Sequence, residues 1–421
     1  MSVVRHQALT VVAPVALGQE AELDAWLREN KRALQRALSH SSTTHFARWV
    51  LLPPTPDEEG RLIGEQHLMA FETNFDGELQ DHVADLRVAL GSMFDRCFAG
   101  VEGYPGSEKL ADLAQYFRER SLRTAAYYIA HGGLSVPVVH GDATLRRAVE
   151  ARLGELSQGA KVKDQDPLDL AHELQRVALG LATKEGLTLG PIDRGLNQNP
   201  PGIIARVLWR PFGVLLAFLL APFFELRDEL KRKEQPSFET PELRAKRDGI
   251  GLEEDRVDQN GLTHLVALKP GWYRPFALKM MVHIVTALAD AGALTGRLGG
   301  IQTIHFARWV ALPDRRLLFF SNYDGSWEAY LGEFVDKASL GLTMIWTNTI
   351  WYPKTRLLLF KGAKDEEAFK TWTRANQVPT QVWYSAYPTL SVGDVLKNAQ
   401  IRELLGCKLD RPASERLLAL L

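Results

Sequence analysis

The feature that most constrains this chain is that its second half retraces its first. His45-Phe-Ala-Arg-Trp-Val-Leu-Leu-Pro53 recurs as His305-Phe-Ala-Arg-Trp-Val-Ala-Leu-Pro313, identical at eight of nine positions. Asn74-Phe-Asp-Gly77 recurs as Asn322-Tyr-Asp-Gly325, and Tyr104-Pro105 as Tyr352-Pro353. Thr124-Ala-Ala-Tyr-Tyr-Ile-Ala130 then matches Thr380-Gln-Val-Trp-Tyr-Ser-Ala386, and Leu134-Ser-Val136 matches Leu390-Ser-Val392, with the order kept throughout. The main length difference is the polar run 54–60 of the first copy, whose Pro, Asp, Glu and Gly residues belong in a loop between two strands.

Each copy reads as one series of elements. An apolar, β-branched strand (9–15; 262–268) leads into a long helix, marked in the first copy by Leu23, Trp26, Leu27, Leu34 and Leu38 at helical spacing among charges. The repeated string starting at His45 and His305 forms the next strand, with hairpin partners at 67–72 and 317–321. A second helix follows the Asn-Phe/Tyr-Asp-Gly turn, then strand-like runs at 96–101 and 343–351, another helix, a Tyr/Trp-rich strand and a closing helix. The β-α-β-β-α-β order predicts an α+β fold: two ferredoxin-like repeats, 1–157 and 259–421, whose helix-free sheet faces meet as one pseudo-symmetric α+β barrel around an apolar pocket.

Residues 158–258 form a helical insert between the copies, mixing apolar and charged stretches. Residues 211–224 carry no charge, and as a helix would reach about 21 Å, short of the roughly 30 Å hydrocarbon core of a bilayer. Arg206 and Arg210 share a helix face while Leu208, Trp209 and Phe212 supply apolar surface, and Pro211 and Pro222 bracket the run. Two readings stay open for 203–224. It attaches peripherally to the inner face of a membrane or to a membrane-bound enzyme, or it is an all-apolar helix closing one end of the barrel.

The totals exclude several function classes. With 50 Lys+Arg against 51 Asp+Glu there is no global electrostatic footprint for nucleic acid, so no nucleic-acid partner is expected. Cys97 and Cys407 are too few for a disulfide framework or a cysteine metal site, which fits a reducing, cytoplasmic setting. The first apolar run is followed by Glu20, Glu22 and Asp24 and reads as a strand, not an export signal. Phosphate-loop, dinucleotide, H-E-x-x-H, C-x-x-C pair and G-x-S-x-G patterns are lacking, against nucleotide-dependent, zinc-hydrolase and α/β-hydrolase chemistry.

Strict alternation along the repeated strand puts His305, Ala307 and Trp309 on one face and Phe306, Arg308 and Val310 on the other. If the first row faces the inter-sheet space, His45, Trp49, His305 and Trp309 line it; if the second does, Arg48 and Arg308 face inward instead. An inward arginine can hold a carboxylate through two parallel hydrogen bonds or polarise a bound peroxide. The ordinary alternative is that each Arg pairs with a nearby carboxylate and each His bonds backbone at a strand end. Asp76 and Asp324 precede amphipathic helices, where an aspartate caps free N–H groups and the following glycine eases the turn. His131 and His140, around Gly132-Gly133, read as pocket-rim residues, and the aromatic residues Trp346, Trp351, Tyr352, Trp372, Trp383, Tyr384 and Tyr387 either stack on a planar ligand or fill the core.

This pattern resembles the dimeric α+β barrel superfamily, which includes dye-decolourising peroxidases and chlorite-dismutase-like haem proteins. The resemblance covers both repeats. The strings Thr73-Asn-Phe-Asp-Gly77 and Ser321-Asn-Tyr-Asp-Gly325 are similar to the G-x-x-D-G of the peroxidases, lacking its first glycine. What it implies is a haem-dependent, peroxidase-like oxidoreductase acting on a hydrophobic or aromatic small molecule in the barrel pocket. Arg308, Asp324 and His305 would be catalytic, Arg48 and Trp309 would contact the cofactor, and His283, in the apolar helix 276–288, would be the axial metal ligand. The alternative is a non-enzymatic lipid- or cofactor-binding protein associated peripherally with a membrane.

Overall fold

The computed structural model describes residues 4–159, 166–192, 211–231, 241–254, 258–290 and 301–421. The principal strands of the first half are β1 (His6–Pro14), β2 (Thr44–Leu52), β3 (Leu68–Asp76) and β4 (Thr124–Ile129). Their counterparts in the second are β5 (Gln259–Ala267), β6 (Ile304–Ala311), β7 (Arg316–Asp324) and β8 (Val382–Ser385). The helices are α1 (Glu20–Leu38), α2 (Leu79–Leu90), α3 (Met93–Cys97), α4 (Leu110–Arg120), α5 (Val136–Gly159), α6 (Pro167–Glu185), α7 (Pro211–Lys231), α8 (Pro241–Glu254), α9 (Tyr273–Asp290), α10 (Trp327–Trp346), α11 (Glu366–Ala375), α12 (Val392–Leu405) and α13 (Arg411–Leu420).

The fold is α+β, with two four-stranded antiparallel sheets. Their orders are β1-β3-β2-β8 and β5-β7-β6-β4, so each half builds three adjacent strands and receives its fourth from the other half. Val382 of β8 lies opposite Trp49, and Tyr127 of β4 opposite Arg308. The exchanged strands seal β2 and β6, which would otherwise be edges with unpaired backbone groups.

Side-chain alternation decides what each sheet face meets. Trp49 and Phe71 pack with Leu27 of α1, Leu86 of α2 and Phe117 of α4. Trp309 and Phe319 pack with Val282 of α9, Trp346 of α10 and Trp372 of α11. The other faces meet each other through Val50, Leu52 and Ala70 from one sheet and Leu265, Val310, Leu318 and Phe320 from its partner. The arginine row is therefore the inter-sheet one. Trp309 belongs to the helix-covered core and does not line the inter-sheet space, which corrects its assignment as a cofactor contact; the tryptophan is held there because its large apolar surface is covered best by a helix layer.

Two strand-like runs also fold otherwise. Met93–Cys97 is helical, and 343–346 is the last turn of α10 before turns at 347–351. Thr343 and Ile345 favour strands locally, yet both are buried along α10 and tertiary packing overrides the preference. Each run keeps a single β-bridge at its end, Val15 to Val101 and Leu268 to Thr349.

The insert adheres to the repeats. α6 joins α5, α12 and α13 in one cluster around Val149, Leu174, Ile401 and Leu417. α7 lays Ala217, Ala221 and Phe224 on Tyr273, Ala277 and Met281 of α9. Arg206, Arg210, Leu208 and Trp209 lie outside the described residues. No described helix is long and apolar enough to cross a membrane.

Candidate functional site

Strict alternation would send His45 and His305 with the tryptophans toward the helices. Both strands break it at that residue. The register steps from Thr44/Phe75 to Phe46/Asn74 in β2, and from Ile304/Tyr323 to Phe306/Asn322 in β6, leaving each histidine unpaired in a bulge. A bulge re-aims a side chain, and here both imidazoles turn in beside Phe46, Phe306 and Tyr387. His45 Nε2 lies 2.9 Å from Asp76 Oδ1, and His305 Nε2 lies 2.7 Å from Asp324 Oδ1.

The aspartates do cap helices, but not the ones that follow them. α2 has no side-chain cap, and α10 is capped by Ser326. Asp76 Oδ2 instead accepts from Val136 N of α5 at 2.9 Å, and Asp324 Oδ2 from Val392 N of α12 at 2.8 Å. Gly77 and Gly325, at φ of +85° and +78°, let the chain leave each aspartate in a left-handed turn. Each half thus ties a strand bulge, a turn and a distant helix N-terminus to one carboxylate.

The two halves meet through His131 and Tyr387, which occupy equivalent positions after β4 and β8. Tyr387 Oη is 2.8 Å from His45 Nδ1 and 3.3 Å from His131 Nε2, which is 3.4 Å from His305 Nδ1. Burial keeps the Tyr387 hydroxyl far above its usual pKa and, against the pull of Asp76, lowers that of His45. Burial also drives His131 well below, reinforced by the neighbouring His305, His45 and His6. Burial alone would raise Asp76, but its interactions with His45 and His6 hold it well below the usual carboxylate range. The network assigns the protons: an ionised Asp76 accepts from His45 Nε2–H, and neutral His45 accepts from Tyr387 O–H.

His6 Nδ1 lies 2.8 Å from Asp76 Oδ1, and its side chain is almost wholly buried. His6, His45 and Asp76 are close enough to share a metal ion. The tautomers oppose it: Gly133 N–H donates to His6 Nε2 at 2.8 Å, which leaves the proton on Nδ1, the atom a metal would need bare. His6 Nδ1 faces Asp76 Oδ1 without hydrogen-bond geometry, while His45 and Asp76 are joined by a hydrogen bond.

The arginines form a second buried unit. Arg48 Nε donates to Glu72 Oε2 at 2.8 Å, and Arg308 Nη2 donates to Glu72 Oε1. One carboxylate therefore serves two arginines; its counterpart in the second copy is Phe320, under the Arg48 guanidinium at 5.1 Å from the ring centre. Each guanidinium crosses to the opposite sheet. Arg48 donates to the carbonyls of Leu262 and Ser321 at 2.8 and 3.0 Å, and Arg308 to those of Leu9 and Thr73 at 2.8 and 2.7 Å. The asparagines Asn322 and Asn74 accept from the same groups.

Open space lies outside the sheets. A groove of about 1000 Å³ runs between α1 and α8. Arg28, Arg32 and Arg36 recur every four residues along its α1 wall with Lys31 beside them, while Leu27, Leu34 and Leu38 face the core. Trp383, Tyr384 and Gly261 form the floor, where the Trp383 indole donates to Asn322 at 2.9 Å. Gln259, also on the floor, stands between the groove and His305, its side-chain nitrogen 3.1 Å from Nε2.

Of the residues singled out by sequence, His305, Asp324, Arg48 and Arg308 come to the inter-sheet side, in two separate networks. His283 does not join them: it sits partly exposed on α9, across the second sheet on its helix-covered face. Sequence reading missed His6, Glu72, Gln259 and the pairing of the bulge histidines with the turn aspartates. Both copies keep the His and the Asp, but they sit within strings that are nearly identical throughout, so the sequence does not single the pair out from its neighbours. No protein-family model matches the chain, and comparison with curated proteins finds no relative.

Proposed function

We propose that this is a non-enzymatic binding protein that takes an amphiphilic organic anion, an acyl chain or flat ring system bearing a carboxylate or phosphate, into the groove beside α1. On this reading the chain is two ferredoxin-like units that exchanged their last strands, and the paired sheets are a packed scaffold in place of a ligand-holding barrel. The single observation that carries it is the groove itself: about 1000 Å³ of space with four cationic side chains on one wall over an aromatic floor. The exposed guanidinium groups of Arg32 and Arg36 meet an anionic head, Arg28 being paired with Asp24 at 2.8 Å and the acids Glu254 and Asp258 lining the groove as well, while Trp383, Tyr384 and Ile250 offer apolar contact to the remainder.

Haem-dependent peroxidase chemistry fits these residues poorly. A macrocycle between the sheets would have to displace the Arg48–Glu72–Arg308 unit and the aliphatic layer beside it, all buried. The guanidinium donors are taken up by protein acceptors, and His283 stands on the far side of the second sheet. His45 and His305 each have both ring nitrogens engaged, which leaves neither a lone pair for iron nor an open position for a substrate proton.

The test is titration with a dansylated fatty acid, read by dansyl emission. Arg32→Glu/Arg36→Glu should weaken binding about tenfold or more, since two attractive charges become repulsive. Leu219→Glu on α7, away from the groove, should leave it unchanged. No binding by the wild type, or equal binding by the charge-reversed variant, refutes the proposal.

A further inference from the structure

One helix of the insert has two apolar faces, and only one of them is covered. The face of α7 bearing Ala217, Ala221 and Phe224 packs on α9. On the opposite side Phe212, Leu215, Leu219, Phe223, Leu226 and Leu230 are each between 55% and 79% exposed. Isolated exposed apolar residues are ordinary on a protein surface; six in one row are not.

The geometry of the row decides what fits it. Its intervals are 3, 4, 4, 3 and 4 residues, which average about 3.6, the period of the helix itself. At 100° per residue all six fall within an arc of about 80°, so the stripe runs straight along the axis. A left-handed two-helix partner requires a 3.5-residue repeat that drifts around a straight helix; this stripe does not drift and matches a flat surface. The charges agree. Two of the three acids on α7 are turned to the protein body: Glu225 accepts from Leu357 and Leu358 N–H at 2.8 and 2.9 Å, and Asp228 holds Arg274 at 2.8 Å; the third, Glu229, is exposed and paired with Lys354 at 2.6 Å. Lys231 ends the helix exposed. Arg206, Arg210, Arg232 and Lys233 flank it in the sequence, their positions lying outside the described residues. Trp272, 62% exposed, stands at 5.5 Å from the ring of Phe224, on the side of α7 that packs against α9.

We infer that α7 lies in the plane of an anionic lipid bilayer, its Phe212-to-Leu230 stripe entering the acyl region while Lys231 at its end meets phosphate headgroups. This goes beyond groove binding and stands without it. No described helix, α7 included, is long and apolar enough to cross a membrane, so the contact is peripheral and reversible.

The test is co-sedimentation of the full chain with phosphatidylcholine vesicles, with and without about 30% phosphatidylglycerol, together with Trp emission quenched by brominated acyl chains. The wild type should pellet with the anionic vesicles and show quenching. Leu219→Glu/Phe223→Glu, at exposed positions that leave the α9 contact intact, should bind about tenfold less with unchanged melting. A wild type that stays in the supernatant, or a double variant that binds equally, overturns the inference. A lipid-free dimer that this substitution dissolves, with no vesicle binding, overturns it in favour of a second copy of the chain.

Discussion

Replacing Glu72 by Gln should destabilise this protein more than removing either arginine it serves. The buried unit contains two guanidinium groups and one carboxylate, a formal charge of +1 with each side chain at most 1% exposed. Glu72→Gln raises that charge to +2 and leaves both arginines without a counterion, whereas Arg308→Met or Arg48→Met leaves one matched pair. Breaking a single buried pair costs about 3–5 kcal/mol, because the remaining charge stays desolvated. Two pairs are broken here, so about 6–10 kcal/mol is the expected scale for Glu72→Gln if the two add, a fall on the order of 10 °C in melting temperature. Loss of packing and hydrogen bonds alone would rank the variants the other way, since each arginine contributes more atoms and more donors than the carboxylate gives up. Urea unfolding of the three variants separates the two accounts. A Glu72→Gln protein within about 1 kcal/mol of the wild type, or more stable than both methionine variants, would refute the shared-counterion reasoning. Phe320→Glu places a second carboxylate at the equivalent position of the other copy, and should restore part of the stability lost in Glu72→Gln.

Stability should fall as the solution is acidified from pH 7 to 5. Burial lowers the pKa of His45 and His131 and takes that of His82 down to about 3, so below the unfolded value near 6.5 the unfolded chain binds protons that these folded imidazoles refuse. Each such histidine adds a slope of up to about 1.4 kcal/mol per pH unit, and a urea midpoint flat between pH 7 and 5 would contradict their burial as neutral rings. Asp76, held low, adds its own loss only below about pH 4. Asp324→Asn should lower stability by about 1–2 kcal/mol through the Val392 cap, with faster amide exchange in the first turn of α12 as its local signature. Gly77→Ala, at φ +85° with open space around its Cα, should cost about 1 kcal/mol from backbone strain alone, measured as a shift in denaturant midpoint.

Much of this fold was legible because the chain states it twice. The repeated strings located β2, β3, β6 and β7, and the polar insertion at 54–60 fell into the loop between β2 and β3. Which half completes each sheet was not legible. β4 and β8 carry the same pattern whichever sheet receives them, and nothing local separates staying from crossing. The candidate site was hidden by one residue of register. Period-two alternation assigns His45 and His305 to the tryptophan face, and only the bulge reverses that assignment. The caps were misassigned for a related reason: Asp76 and Asp324 precede helices in sequence, but their free oxygens reach helices that begin about 60 residues later. Glu72 shows the opposite case. Its lack of a counterpart, Phe320 in the second copy, was readable as a difference between the repeats, but becomes meaningful only once both arginines are seen to converge on it.

The strand exchange carries a consequence for synthesis. Trp49 of β2 waits for Val382 of β8, which lies 333 residues further along the chain. At about 5–20 residues per second on the ribosome, that is an interval on the order of tens of seconds. Throughout it the first sheet has an open flank on its most apolar strand, the kind of flank that captures other chains. The second sheet has no such delay, since β4 is already made when β6 emerges. Assembly should therefore run opposite to the direction of translation, the later sheet closing first and the earlier one last. Nascent-chain crosslinking through β2 would find it bound to chaperone until the last 40 or so residues have left the exit tunnel, and free afterwards.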